Sequence, residues 1–126
     1  MKYPKPVKLP RKHYRKHGIP DYDRKYAHIY RRQSGFCPIS KERLGMNSHM
    51  HHVWANDETN NRLYPHYVHS VWNLCLLRGG AHLNEGLPKK PPESEVKQAE
   101  DILAHNPDLQ YDASMEEALR SLEVAR

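Results

Sequence analysis

Ser48-His49-Met50-His51-His52-Val53-Trp54 and Val71-Trp72-Asn73-Leu74-Cys75-Leu76-Leu77, followed by Ala81-His82, are the stretches whose reading decides the fold. The period-two spacing of the first predicts a strand over 48–54, with Met50 and His52 on one face and His49, His51 and Val53 on the other. The near-continuous apolar run of the second predicts another strand over 71–77. Residues 55–70 between them are polar, with Asn56-Asp57 and Asn60-Asn61, and read as a long loop. Long loops in small domains are often functional. Arg78-Gly79-Gly80 predicts a turn, and Ala81-His82-Leu83-Asn84-Glu85 one or two helical turns halted by Gly86 and Pro88.

On the N-terminal side, residues 1–20 are rich in Pro and Lys without periodicity and read as an extended arm. A helix is expected over 22–33, with Asp21 or Asp23 as its cap, Tyr26, Ile29 and Tyr30 on one face, and Ser34-Gly35 as its stop. Arg31 and Arg32 in its last turn suit the helix dipole. Phe36-Cys37-Pro38-Ile39-Ser40 reads as a short strand or turn. On the C-terminal side, Ser94 is expected to cap a helix reaching His105, with Val96, Ala99, Ile102 and Leu103 as its apolar stripe and Asn106-Pro107 as its end. Ser114-x-x-Glu117 is a capping box for a helix over 115–124 with Met115, Ala118, Leu119 and Leu122 inward. These acidic, amphipathic helices are expected to pack onto the domain or onto a second subunit. Trp54 and Trp72 bracket the two strands and read as core.

Hydrophobic residues make up 37% of the chain and charged residues 28%, with ten prolines, so the core is expected to be modest. A chain of this size gains from a second source of stability such as a bound metal. No apolar run is long enough for a membrane span, and the first ten residues lack the apolar segment of a secretory signal. The expected location is the cytoplasm, with no membrane partner. In a reducing compartment Cys37 and Cys75 are expected as thiols, Cys75 as a buried small hydrophobe, with a disulfide between them as the alternative.

The formal charge of +5 hides a gradient, from about +9 over 1–36 through about +2 over 37–91 to about −6 over 92–126. A basic arm interleaved with Tyr3, Tyr14, Tyr22, Tyr26 and Tyr30 fits phosphate contact and stacking. Lys8, Arg11, Lys12, Arg15, Lys16, Arg31, Arg32 and Arg78 are the residues expected to touch nucleic acid. The bland alternative is a solvated tail that only aids solubility.

Ten histidines in 126 residues is a high count, and three fall within 48–53. Phosphodiester hydrolysis needs a base that titrates near neutral pH, which histidine supplies. It also needs charge stabilisation at the scissile phosphate and a group that fixes the base's orientation. The ordered set His51-His52-Val53, then Asn73-Leu74-Cys75-Leu76-Leu77, then His82 resembles the HNH endonuclease, or ββα-metal, family. The resemblance covers roughly 49–85, with a looser echo over 36–45.

That resemblance implies an α+β fold: a ββα-metal, HNH-like hairpin-plus-helix core with flanking helices. It implies His52 as general base, His51 and His82 as metal ligands, and Asn73 as the residue that braces the loop and orients the base. A pair of imidazoles on one strand face, His49 and His51, is a second way to chelate a metal. The implied cofactor is one divalent ion, with zinc, nickel, manganese or magnesium all compatible and imidazole favouring the first three.

The chain departs from the family pattern where many members carry two Cys-x-x-Cys pairs around a structural zinc. Here those places read Cys37-Pro38-Ile39-Ser40 and Arg78-Gly79-Gly80-Ala81, so no structural zinc held by four cysteines is expected. One helical turn after His82 stands Gly86, where some members have another histidine; Asn84 or Glu85 could substitute. His13, His17, His28 and His105 are read as ordinary surface or core histidines; His66 and His69 lie in the long loop, from which either could approach the site, and the favoured reading leaves them out of it.

The expected organisation is a basic extended arm over 1–20, an HNH-like nuclease domain over 21–91 and a helical extension over 92–126. The expected activity is metal-dependent endonucleolytic hydrolysis of DNA, double-stranded or branched, with RNA less favoured and a phage origin in keeping with the resemblance. The C-terminal helices would serve a protein partner or a homodimer. The alternative is a catalytically inactive HNH-fold factor that binds nucleic acid or docks on a protein.

Overall fold

The computed structural model describes residues 18–45, 48–78 and 88–125. Residues 1–17 of the arm expected over 1–20, the turn expected at Gly79-Gly80 and the helical turns expected around His82 lie outside the described residues. The described chain is a mixed α and β structure. Its elements in order are α1 (Tyr22–Arg32), β1 (Ser48–His52), α2 (Glu58–Leu63), α3 (Pro65–Val68), β2 (Leu74–Arg78), α4 (Glu93–His105), α5 (Leu109–Asp112) and α6 (Met115–Ala125).

Helix α1 forms where expected, but not with the expected cap. Asp21 sits at the N-cap in the left-handed region (φ 56°) and its side chain caps nothing. The other end is a Schellman-type stop. Ser34 takes the left-handed conformation (φ 55°), its N–H donates to Arg31 O, and Gly35 N–H donates to Tyr30 O. Gly35 also has positive φ (76°), and a Cβ there would stand 3.0 Å from the Tyr30 hydroxyl, so the position is glycine for two reasons.

β1 and β2 form a two-stranded antiparallel sheet in which His49 faces Leu77, Met50 faces Leu76, His51 faces Cys75 and His52 faces Leu74. β2 begins three residues later than its apolar run predicts. Ser70 to Asn73 instead close a turn, with Asn73 N–H donating to Ser70 O and Val71 N–H to the Gln110 side chain. The first four residues of β2 are apolar because both faces of the strand are covered there: Leu74, Cys75, Leu76 and Leu77 are all buried, and only the last residue, Arg78, is exposed. Its outer edge would expose an unpaired ladder, and α1 and the residue after it close that edge with side chains. The Gln33 amide donates to Leu76 O (2.8 Å) and accepts from Leu76 N–H (2.8 Å), standing in for a third strand. Arg32 donates to Val71 O (2.7 Å) and Leu74 O (2.6 Å).

The long loop expected over 55–70 is in fact two short helices. Asp57 caps α2 by accepting from Asn60 N–H (2.8 Å), and Pro65 opens α3 at a position where its missing N–H costs nothing. Glu100, from α4, completes the cap of α3 by accepting from the N–H groups of His66 and Tyr67, both at 2.8 Å.

The core falls into two clusters. One joins Ile19, Tyr22, Ile29, Cys37, Leu44, Met50 and Val71 to the apolar residues of β2. The other joins Tyr64, Tyr67 and Val68 to Val96, Ala99 and Leu103 of α4. Trp72, half-buried, lies against both and donates its indole N–H to Ala113 O (2.9 Å). Helix α4 starts at Glu93, with Pro92 rather than Ser94 at the N-cap. The capping box of α6 is present, with Glu117 N–H donating to Ser114 Oγ (3.1 Å) and Ser114 N–H reaching the Glu117 carboxylate (3.4 Å). The C-terminal helices thus pack onto the body of the chain itself. Cys37 and Cys75 are buried free thiols.

Candidate functional site

β1 stops at His52, where Asn73 takes hold of the chain. Asn73 is fully buried at the turn into β2. Its side-chain oxygen accepts from Trp54 N–H (2.7 Å). Its amide nitrogen donates to Trp54 O (3.0 Å) and Val68 O (2.9 Å), while its own carbonyl accepts from Val53 N–H (2.9 Å). One side chain therefore ties the end of β1, the end of α3 and the start of β2. The asparagine acts on the backbone two residues beyond His52 rather than on the imidazole.

His51 and His52 are both half-buried and project from opposite faces of the strand, as alternation demands. His52 shares the face of Met50. Its Nε2 lies 3.5 Å from Nδ1 of His69, with the two rings nearly perpendicular. His69 is buried at the C-cap of α3, and its Nε2 lies 2.6 Å from Oδ1 of Asn61 on α2. Asn61 is in turn held by donating to Asp57 O (2.7 Å) and Asn56 Oδ1 (2.8 Å). Burial, and then the charge of Lys25, hold the His69 pKa below the ordinary histidine value, which favours the neutral ring.

Lys25 is itself buried on the inner face of α1, and burial pulls its ammonium down to about 8 against the weaker opposing pull of Asp21. Titratable groups perturbed by burial and by a neighbouring charge cluster at functional sites.

Sequence reasoning leaves His69 away from the site, and neither it nor Lys25 is among the expected site residues. The signals for His69 are Asp57 three residues before Asn60 and Pro65 at a helix start, which turn the loop into helices and bring 61 and 69 together.

The other expected site residues divide. His82, Lys8, Arg11, Lys12, Arg15 and Lys16 lie outside the described residues. Arg31 is exposed on α1. Arg32 carries a structural task, its guanidinium engaged with two carbonyls that close the sheet edge. Arg78 forms an ion pair with Glu42.

Residues 37–42 form a tight turn closed by a bridge between Phe36 and Arg43. Burial would raise the Cys37 thiol. Backbone N–H groups of Arg78, Ser40 and Ile39, with the Ser40 side chain, outweigh it and bring the thiol to about 7. Among the described residues no three His, Cys, Asp or Glu side chains come together as a metal cage. His51 is one imidazole donor at the strand end, and the described residues alone do not complete a donor set.

Comparison with protein-family models, with curated proteins and with solved structures gives no match for this chain. Among the described residues no helix is long and apolar enough to cross a membrane.

Proposed function

We propose that the chain is a metal-dependent endonuclease of the HNH, ββα-metal type that hydrolyses DNA phosphodiester bonds. The observation that carries this reading is the joint at the end of β1. A His-His pair closes one strand of an antiparallel hairpin, and the buried Asn73 clamps the backbone just beyond it. A rigid strand end is what a general base requires, because misplacement of about 1 Å can cost on the order of a hundredfold in rate.

In this reading His52 takes the proton from the attacking water, and His69 and Asn61 hold its ring from behind. A divalent ion held by His51 and His82 would neutralise charge on the scissile phosphate. Arg31 and the basic arm over 1–20 would grip the DNA backbone without reading sequence, so binding should weaken steeply with salt. A helix around His82 would complete the ββα unit.

A supercoiled-plasmid nicking assay over a panel of zinc, nickel, manganese and magnesium tests the reading. The parent chain is expected to nick with at least one of these ions, and His52→Ala to lose roughly 100-fold or more of that rate. Equal cutting by His52→Ala at matched purity removes His52 from the role. DNA binding without nicking under any ion points to the inactive, nucleic-acid-binding alternative.

A further inference from the structure

The contacts behind His52 determine which of its nitrogens carries the proton. The relay begins at Asp57, whose backbone carbonyl can only accept. The Asn61 side-chain atom 2.7 Å from it must therefore be the NH2 group, which turns the Asn61 carbonyl oxygen toward His69. That oxygen also only accepts, so at 2.6 Å His69 Nε2 must carry its hydrogen. A neutral imidazole has a single N–H, so His69 Nδ1 presents a lone pair toward His52 Nε2, 3.5 Å away. His52 meets that lone pair favourably only with its own Nε2 protonated, which makes Nδ1 the basic nitrogen.

We infer that His69, anchored by Asn61, is a positioning residue that sets the tautomer of His52, so that Nε2 donates inward and Nδ1 is the atom that accepts a proton. From Asp57 through Asn61 to His69 each donor or acceptor role is fixed by the one before it, and the 3.5 Å contact carries that order to His52. The relay also explains why two adjacent asparagines, Asn60 and Asn61, lie in α2. Asn60 takes the Asp57 cap through its N–H and donates its side chain to Ala55 O (2.9 Å), fixing the turn from which Asn61 acts. Burial of His69 and the nearby Lys25 charge oppose a second proton on the ring, which would reverse the relay.

The consequence for catalysis rests on the nuclease reading, but the tautomer does not, so the two are tested apart. Long-range proton–nitrogen correlation spectra of the 15N-histidine-labelled full chain, free of metal and nucleic acid at neutral pH, report each ring's tautomer directly. A His52→Gln spectrum identifies the His52 signals. The parent is expected to show His52 and His69 both protonated at Nε2. His69→Ala is expected to turn His52 into a mixture of tautomers. His69→Asn, whose amide oxygen can fall near the position of Nδ1, is expected to restore the Nε2-protonated form.

A parent His52 protonated at Nδ1, or a folded His69→Ala chain with an unchanged His52 tautomer, overturns the inference. Should His69→Ala not fold, Asn61→Ala serves in its place: loss of the fixed His69 tautomer supports the relay, and retention overturns it. If the chain nicks DNA, His69→Ala is expected to lower kcat by roughly 10- to 100-fold with little change in KM, as removal of an orienting partner does. A chain with the expected tautomers but no nicking activity retains this inference and loses the nuclease reading.

Discussion

Lys25 shows how a single residue couples the fold to pH. Burial lowers its pKa from 10.5 to about 8, so between those values the unfolded chain holds a proton that the folded chain has released. Stability contributed by this group therefore rises as pH climbs from about 8 to about 10.5, and below pH 8 the fold carries the full cost of a buried ammonium. Cys37, brought down to about 7, acts in the same sense between 7 and 9, whereas Cys75, pushed up to about 11 chiefly by burial, acts in the opposite sense above 9. Replacing Lys25 by Met, of similar length, isolates the lysine. Lys25→Met is expected to be more stable than the parent at pH 7 by about 1–3 kcal/mol, and the gap should narrow by about pH 9.5. Denaturant unfolding at both pH values checks this, and a gap independent of pH would rule out the lysine as its source.

At the scale of elements, short pieces of structure are held by side chains that imitate backbone. Gln33 serves as a third strand for Leu76, Glu100 caps α3 from a different helix, and Asn73 joins β1, α3 and β2. The Asn73 joint is the most concentrated of these. Asn73→Ala would leave Trp54 N–H, Trp54 O and Val68 O without their partner in a buried place. Each unsatisfied group costs about 1–3 kcal/mol, and relaxation of the chain recovers part of it. The expected loss is roughly 2–5 kcal/mol, read as a lower urea midpoint. A midpoint within error of the parent would show that the joint does not hold the strand end. The site was legible in sequence at this scale only in part. His51 and His52 end β1 and Asn73 immediately precedes its partner strand, and strand periodicity is visible along the chain. His69 meets His52, and Asn61 meets His69, only because residues 58–68 form two helices of six and four residues, too short to show a reliable period.

Across the whole molecule, the acidic C-terminal helices belong to the body. Val96, Ala99 and Leu103 bury against Tyr64, Tyr67 and Val68, and Gln110 satisfies the N–H of Val71 at the turn into β2. Val96 and Leu103 contribute about 1.5–3 kcal/mol each on burial, against a net stability for a domain of about 5–15 kcal/mol. A chain ending at Pro91 is therefore expected to lose cooperative thermal unfolding and to expose apolar surface to a dye such as ANS. A sharp melting transition with the parent's near-ultraviolet spectrum would show that residues 18–91 fold alone.

The local features are written in the order of residues alone: α1 and its Ser34-Gly35 stop, the two antiparallel strands, the capping box at Ser114, and the set of His51, His52 and Asn73. Each follows from periodicity, from turn chemistry or from spacing within a few residues. Long-range packing is what makes Arg32 close a sheet edge, starts β2 at Leu74, and brings His69 and Lys25 to the site. The physical reason is common to all three. A buried polar group must find its partner wherever the fold supplies one: His69 lies 17 residues from His52, and Arg32 lies 42 residues from the Leu74 carbonyl that it reaches.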